Sequence, residues 1–168
     1  MYSQLKMATD ISSVCRADFF QLCQLRSIHQ SLMTEATRAL VQAFISCRLD
    51  YCNSVLAGVA DVYLRRCQSV QNVAARLVSG ARRHDHISPV LVSLHWLPVR
   101  QRIIYKTAVL EWKCLHDAAP CCLADLYVPA HSMHGHQQPH FMVSGTLLVP
   151  RIRTATGQRS FAVNGPRT

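Results

Sequence analysis

Apolar residues recur at alternating three- and four-residue steps along most of the first two thirds of the chain. Leu5, Ala8, Ser12, Cys15, Phe19, Leu22 and Leu25 or Arg26 fall on one stripe, which predicts a long helix from about Ser3 to Ile28. Thr34 is an expected N-cap, with Glu35 in the first turn, where a carboxylate suits the helix dipole. The helix it opens buries Ala36, Leu40, Val41, Phe44 and Ile45 and fades near Arg48. Asp50 to Ala57 reads as a short helical or turn segment closed by Gly58. A third long helix starts at Asp61, with Tyr63, Cys67, Val70, Ala74 and Leu77 as its stripe and Gly80 as its stop. After the polar linker Arg82-Arg83-His84-Asp85-His86, Ser88-Pro89 is an N-cap followed by Pro at the first helical position, opening a short helix through Leu94. Pro98 begins another long helix, to about His116, with Ile103, Thr107, Leu110 and Cys114 on one face. Ala119-Pro120 ends it, and Cys121 to Leu126 forms a last short helix.

Beyond Tyr127 the periodicity is lost. Pro129, Gly135, Pro139, Gly145, Pro150, Gly157, Gly165 and Pro166 punctuate a polar stretch, which reads as extended or disordered, with Thr146 to Val149 as a short strand. The expected fold is all-α: an irregular bundle of four or five main helices over residues 1–127, then a flexible basic tail rich in Pro, Gly and His over residues 128–168.

Composition sharpens this picture in three ways. Hydrophobic residues make up 49% of 168, enough for a core, while only 16% are charged, which suits a piece whose apolar surface is covered by other sequence. The net charge of +9 is uneven: residues 1–60 hold five basic and four acidic side chains, residues 61–128 nine and five, and residues 129–168 four arginines and no acid. A basic second half favours phosphate-rich partners. The eight cysteines are scattered, and no secretory signal precedes them, so free thiols acting as small core hydrophobes in a reducing compartment, cytoplasmic or nuclear, are expected. No apolar run of roughly 18 residues or more is present, so no membrane partner is expected.

Candidate chemistry is sparse. Two-metal polymerase or nuclease chemistry needs paired carboxylates, and Asp10, Asp18, Asp50, Asp61, Asp85, Asp117 and Asp125 each stand alone; they read as caps, turn residues or helix-surface charges. His131, His134, His136 and His140 have spacings that reach a zinc ion, but no scaffold is predicted there and no metal site is assigned. Cys114 and His116, two apart on a helix, point to different faces, which argues against a Cys–His nucleophile. Trp96 and Trp112 read as packing anchors. The third long helix carries a second face: Arg65, Ser69, Asn72 and Arg76 step by four, three and four, with Arg82 and Arg83 following. Such a face can lay guanidinium and amide donors along a phosphate backbone.

Four strings occur in one order: Ser46-Cys47-Arg48-Leu49-Asp50-Tyr51-Cys52-Asn53-Ser54; Gln71-Asn72-Val73-Ala74-Ala75-Arg76-Leu77-Val78; Leu94-His95-Trp96-Leu97-Pro98-Val99-Arg100-Gln101-Arg102-Ile103-Ile104-Tyr105-Lys106 with Lys113-Cys114-Leu115-His116 and Ala119-Pro120; and Gly157-Gln158-Arg159-Ser160-Phe161 leading to Gly165-Pro166. Together they resemble the C-terminal part of a reverse transcriptase from a LINE-type, non-LTR retrotransposon. The resemblance implies a thumb and post-thumb region that grips a template–primer duplex. It also implies a polymerase palm, with its aromatic-x-Asp-Asp turn, upstream of Met1. The expectation is therefore a non-catalytic fragment without cofactor. It binds RNA or RNA–DNA backbone weakly and without sequence preference through Arg65, Asn72, Arg76, Arg82, Arg83, Arg100 and Arg102. The alternatives are a helical protein-interaction module and a translated transposon remnant with no selected function.

Overall fold

The computed structural model describes residues 2–51, 56–126, 149–154, 157 and 160–164, and for residues 2–7 and 164 the backbone alone. Every regular element among the described residues is helical. The chain divides into two compact units, residues 1–102 and 103–168. The expected boundary at Tyr127 lies outside the described residues.

The first unit opens with α1 (Tyr2–Ile28), ended by a 3₁₀ turn at His29–Ser31. Ile11, Cys15, Leu22 and Leu25 are buried along it, one stripe at helical spacing. Phe19, expected in that stripe, is 37% exposed. Its place is taken by Asp18, which is 0% exposed and so is no surface charge.

The next helical rod runs from Thr34 to Asp50: α2 (Thr34–Val41), a π turn (Gln42–Ser46) and α3 (Cys47–Asp50). Thr34 is its first helical residue; the N-cap is Met33, which makes no side-chain cap bond. The buried positions are Thr37, Val41, Ile45 and Ser46, and Phe44 stays 45% exposed. Val41 and Ile45 are buried as expected; steps of four drift by about 40° on an α-helix, and the wider π turn takes up that drift, so Thr37 joins them on one line.

Helix α4 (Asp61–Ser79) packs against α1 and α2 and buries Cys67, Val70, Gln71, Ala74, Ala75 and Val78. The thiols of Cys15 and Cys67 meet at 3.8 Å across the α1–α4 seam. One thiol donates to the other there: the bond lowers the Cys15 pKa and, with burial, pushes the Cys67 pKa up. Gly80 ends α4 as expected, at φ 71°, with its N–H donating to the Arg76 carbonyl at 2.9 Å.

Helix α5 (Ile87–Ser93) starts one residue before Ser88, which therefore does not cap it; Pro89 sits in the first turn, where a missing N–H costs nothing. Helix α6 (Val99–Leu115) begins after Pro98 as expected.

In the second unit, α6 buries Ile103, Thr107 and Cys114 as its spacing predicts, and the Thr107 hydroxyl donates to the Ile103 carbonyl at 2.9 Å. Trp112 is no packing anchor: it is 58% exposed and lies against His116, ring centroids 4.4 Å apart. A short α7 (Cys121–Ala124) follows. Most of the tail, including the histidine cluster and Thr146 to Leu148 of the expected strand, lies outside the described residues, and Val149 is not in a strand. Its described end is not extended throughout: α8 (Phe161–Asn164) is one helical turn, with Val163 2% exposed.

Of the described cysteines, Cys15, Cys67 and Cys114 are buried, as small hydrophobes should be, but Cys23, Cys47, Cys121 and Cys122 are exposed. No helix among the described residues is long and apolar enough to cross a membrane.

Candidate nucleic-acid interface

The basic face expected on α4 is only partly available. Arg65 and Ser69 are exposed. Asn72 is half-buried, and its side-chain oxygen accepts from Gln68 Nε2 at 2.8 Å. Arg76 folds back over the end of α4: its Nε and one terminal nitrogen donate to the carbonyls of Arg82 and Asp85, each at 3.3 Å. Asp85 Oδ2 also accepts the Arg82 backbone N–H at 2.6 Å, so the loop after Gly80 is pinned onto the helix end. The Arg82 and Arg83 side chains stay exposed on that loop.

Arg100 and Arg102 are engaged elsewhere. Arg100 pairs with Asp61, both well exposed, and Arg102 Nε meets Asp50 Oδ1 at 2.9 Å in a largely covered pair. Both expected site arginines thus already meet a carboxylate. The Arg102 pair also ties the end of the α2–α3 rod to the start of α6. Two glutamines of α4 complete that junction. Gln71 Nε2 donates to the Leu97 carbonyl at 2.9 Å, and Gln68 Oε1 accepts the Val99 N–H, the first of α6, at 2.8 Å. An orphan donor of a helix start is thereby satisfied by a side chain from another helix. Three of the strings named above thus meet at one structural joint. In it, His95 takes φ 56°, a left-handed conformation costly for a residue with a β-carbon, and the Trp96 N–H donates to the Leu91 carbonyl at 2.8 Å.

A concavity the sequence did not announce lies between the C-terminal ends of α1 and α4. It measures about 830 Å³ and takes Arg26, His29 and Gln30 from α1 and its 3₁₀ turn, and Ser69, Arg76 and Arg83 from α4 and the loop. Leu22, Val73 and Leu77 add apolar wall. No carboxylate lines it, and none pairs with Arg26 or Arg83 among the described residues. Arg26 and Arg76 sit in the last turns of their helices, where a cation offsets the dipole. Arg26 was visible in the sequence only as a possible stripe residue; its distance from Arg83 along the chain hid the cluster.

Among the described residues no group of three His, Cys, Asp or Glu side chains is placed to hold a metal ion. The class defined so far is an all-helical chain with a cationic cleft. Comparison with protein-family models, with curated proteins and with solved structures found no match.

Proposed function

We propose that this chain is a thumb-like fragment of a LINE-type reverse transcriptase, non-catalytic by itself, that holds RNA or RNA–DNA backbone inside the cell without reading sequence. The observation that carries the reading is a set of exposed cations that form no ion pair among the described residues: Arg65 on α4, Arg82 and Arg83 on the loop, and Arg26 at the end of α1. Guanidinium groups so placed bind phosphate oxygens and release counterions, which makes affinity salt-dependent and indifferent to base sequence. The order of the four strings supplies the family, and an upstream palm would supply the chemistry.

The test is binding of a labelled RNA–DNA hybrid by the full chain across a salt series. Arg65→Ala with Arg82→Ala should weaken binding and lower the salt slope by about two. Arg16→Ala with Arg38→Ala, outside both the α4 face and the cleft, should leave it unchanged. The chain alone should incorporate no nucleotide on a primed RNA template with Mg²⁺. Equal effects of the two double variants would defeat the backbone-binding reading. They would favour an interaction module, for which exposed Phe20, Met33, Tyr51 and Trp112 speak.

A further inference from the structure

We propose that the cleft between the ends of α1 and α4 is a nucleotide pocket, taking one nucleoside monophosphate unit with its phosphate on the arginines and its base against the apolar wall. The choice of nucleotide among phosphorylated ligands rests on the nucleic-acid reading above; the site itself rests on the cleft.

Its volume, about 830 Å³, falls within the range of small-molecule sites. A bare anion would use only one part of its lining. Arg26 and Arg83 project from exposed positions with no carboxylate partner among the described residues, and Arg76, which lines the same cleft, is anchored by its two carbonyl contacts. These three guanidinium groups suit a phosphate, which accepts from several planar forks at once. The two helix ends account for two cations, Arg26 and Arg76; Arg83 is in excess of what the dipoles need.

The other part of the lining is different in kind. Val73 is 39% exposed although it is apolar, and Leu77 adjoins it one turn on. Burying this surface under a planar base removes apolar area from water. His29, half-buried at the 3₁₀ turn, and the arginine planes can stack on a base, while Gln30 and Ser69 offer neutral donors and acceptors to its edge. A lining that combines guanidinium groups with apolar and stacking side chains matches a nucleotide. It is also distinct from the line of phosphates that Arg65 would track, because Arg65 does not line the cleft.

Calorimetric titration of the full chain with AMP and with inorganic phosphate tests this. AMP should bind at least tenfold more tightly than phosphate. Arg26→Ala with Arg83→Ala should weaken AMP at least tenfold while circular dichroism stays unchanged. Val73→Glu, which puts a carboxylate on an already exposed position, should do the same. Arg65→Ala should leave AMP binding intact while weakening the hybrid, so the pocket and the backbone face fail or stand separately. Displacement of AMP by a 5′-phosphorylated oligonucleotide, but not its 5′-hydroxyl twin, assigns the site to a strand end; no displacement assigns it to a free nucleotide. AMP bound no better than phosphate, or AMP binding unmoved by the Arg26 and Arg83 changes, overturns the proposal.

Discussion

Asp18 is the residue whose chemistry departs furthest from its sequence context. It has no exposed surface, and neither carboxylate oxygen accepts a hydrogen bond; its nearest compensation is Arg48 Nε at 3.4 Å. Burial pushes its pKa up to about 6, and Arg48 pulls it partly back. The folded value lies above the ordinary 3.8, so the native state holds the proton more tightly than the unfolded chain. The stability this group allows is full below about pH 4 and declines as pH rises towards about 6, by a few kcal/mol at most. Asp18→Asn should therefore flatten the dependence of the melting temperature on pH between about 4 and 6.5 and raise it at pH 7.5. Arg48, 43% exposed, can take up water once its partner is neutral. Arg48→Ala should destabilise more at pH 7.5 than at pH 4.5, because only at the higher pH does it strand a buried charge. A melting profile for Asp18→Asn parallel to the parent's would refute this account. Nothing in the sequence marks this aspartate, since a lone acid on a stripe looks the same whether it faces water or a core.

Glycine gives a second residue-scale prediction. An added β-carbon at Gly157 would run into the Ile152 side chain and come within 2.8 Å of Thr154 Oγ1, the atom that accepts the Gly157 N–H at 3.1 Å. Gly157→Ala should cost about 1–3 kcal/mol through overpacking and loss of that turn. At Gly80 nothing obstructs a β-carbon, and only the left-handed φ of 71° opposes it, so Gly80→Ala should cost about 1 kcal/mol. Thermal denaturation of the two variants separates crowding from backbone strain.

At the scale of elements, the helices were legible because their signal is local. Steps of three and four recur within a few turns, and Gly80 and Pro98 mark ends by their own backbone chemistry. The joints between helices were not legible, because they pair residues far apart. Gln68 reads as a polar neighbour of a basic face and Gln71 as one letter of a string. In the fold both turn towards the Leu97–Val99 segment and satisfy its backbone. Their amides hold the approach to α6, and a side chain of equal size without those donors and acceptors removes both bonds. Gln71→Met should cost about 1 kcal/mol by removing the bond to the Leu97 carbonyl. Gln68→Met should fray the first turn of α6, seen as faster amide exchange at Val99. Unchanged exchange at Val99 would show that water replaces the glutamine without loss.

For the whole molecule, the count of 18 lysines and arginines overstates what is free to act on a partner. Arg48, Arg100 and Arg102 spend their charge on Asp18, Asp50 and Asp61, pairings that join distant strings and were hidden from sequence reading. The α4 face and the cleft together leave Arg26, Arg65, Arg82 and Arg83, so the logarithmic salt slope for an RNA–DNA hybrid should be about three to four. Asp61 makes the sharpest check. It lies one turn before Arg65 on α4 and pairs with Arg100 at an exposed site, where such a pair adds at most about 1 kcal/mol to stability. Asp61→Asn should thus leave the fold in place, remove the acid beside Arg65 and release Arg100. Hybrid affinity should rise several-fold at low salt, and the slope should steepen by about one. Arg100→Ala in the parent should lower affinity, because it leaves the Asp61 carboxylate unpaired beside Arg65. Affinity that stays level in Asp61→Asn, measured beside an unchanged melting temperature, would mean that α4 does not face the nucleic acid.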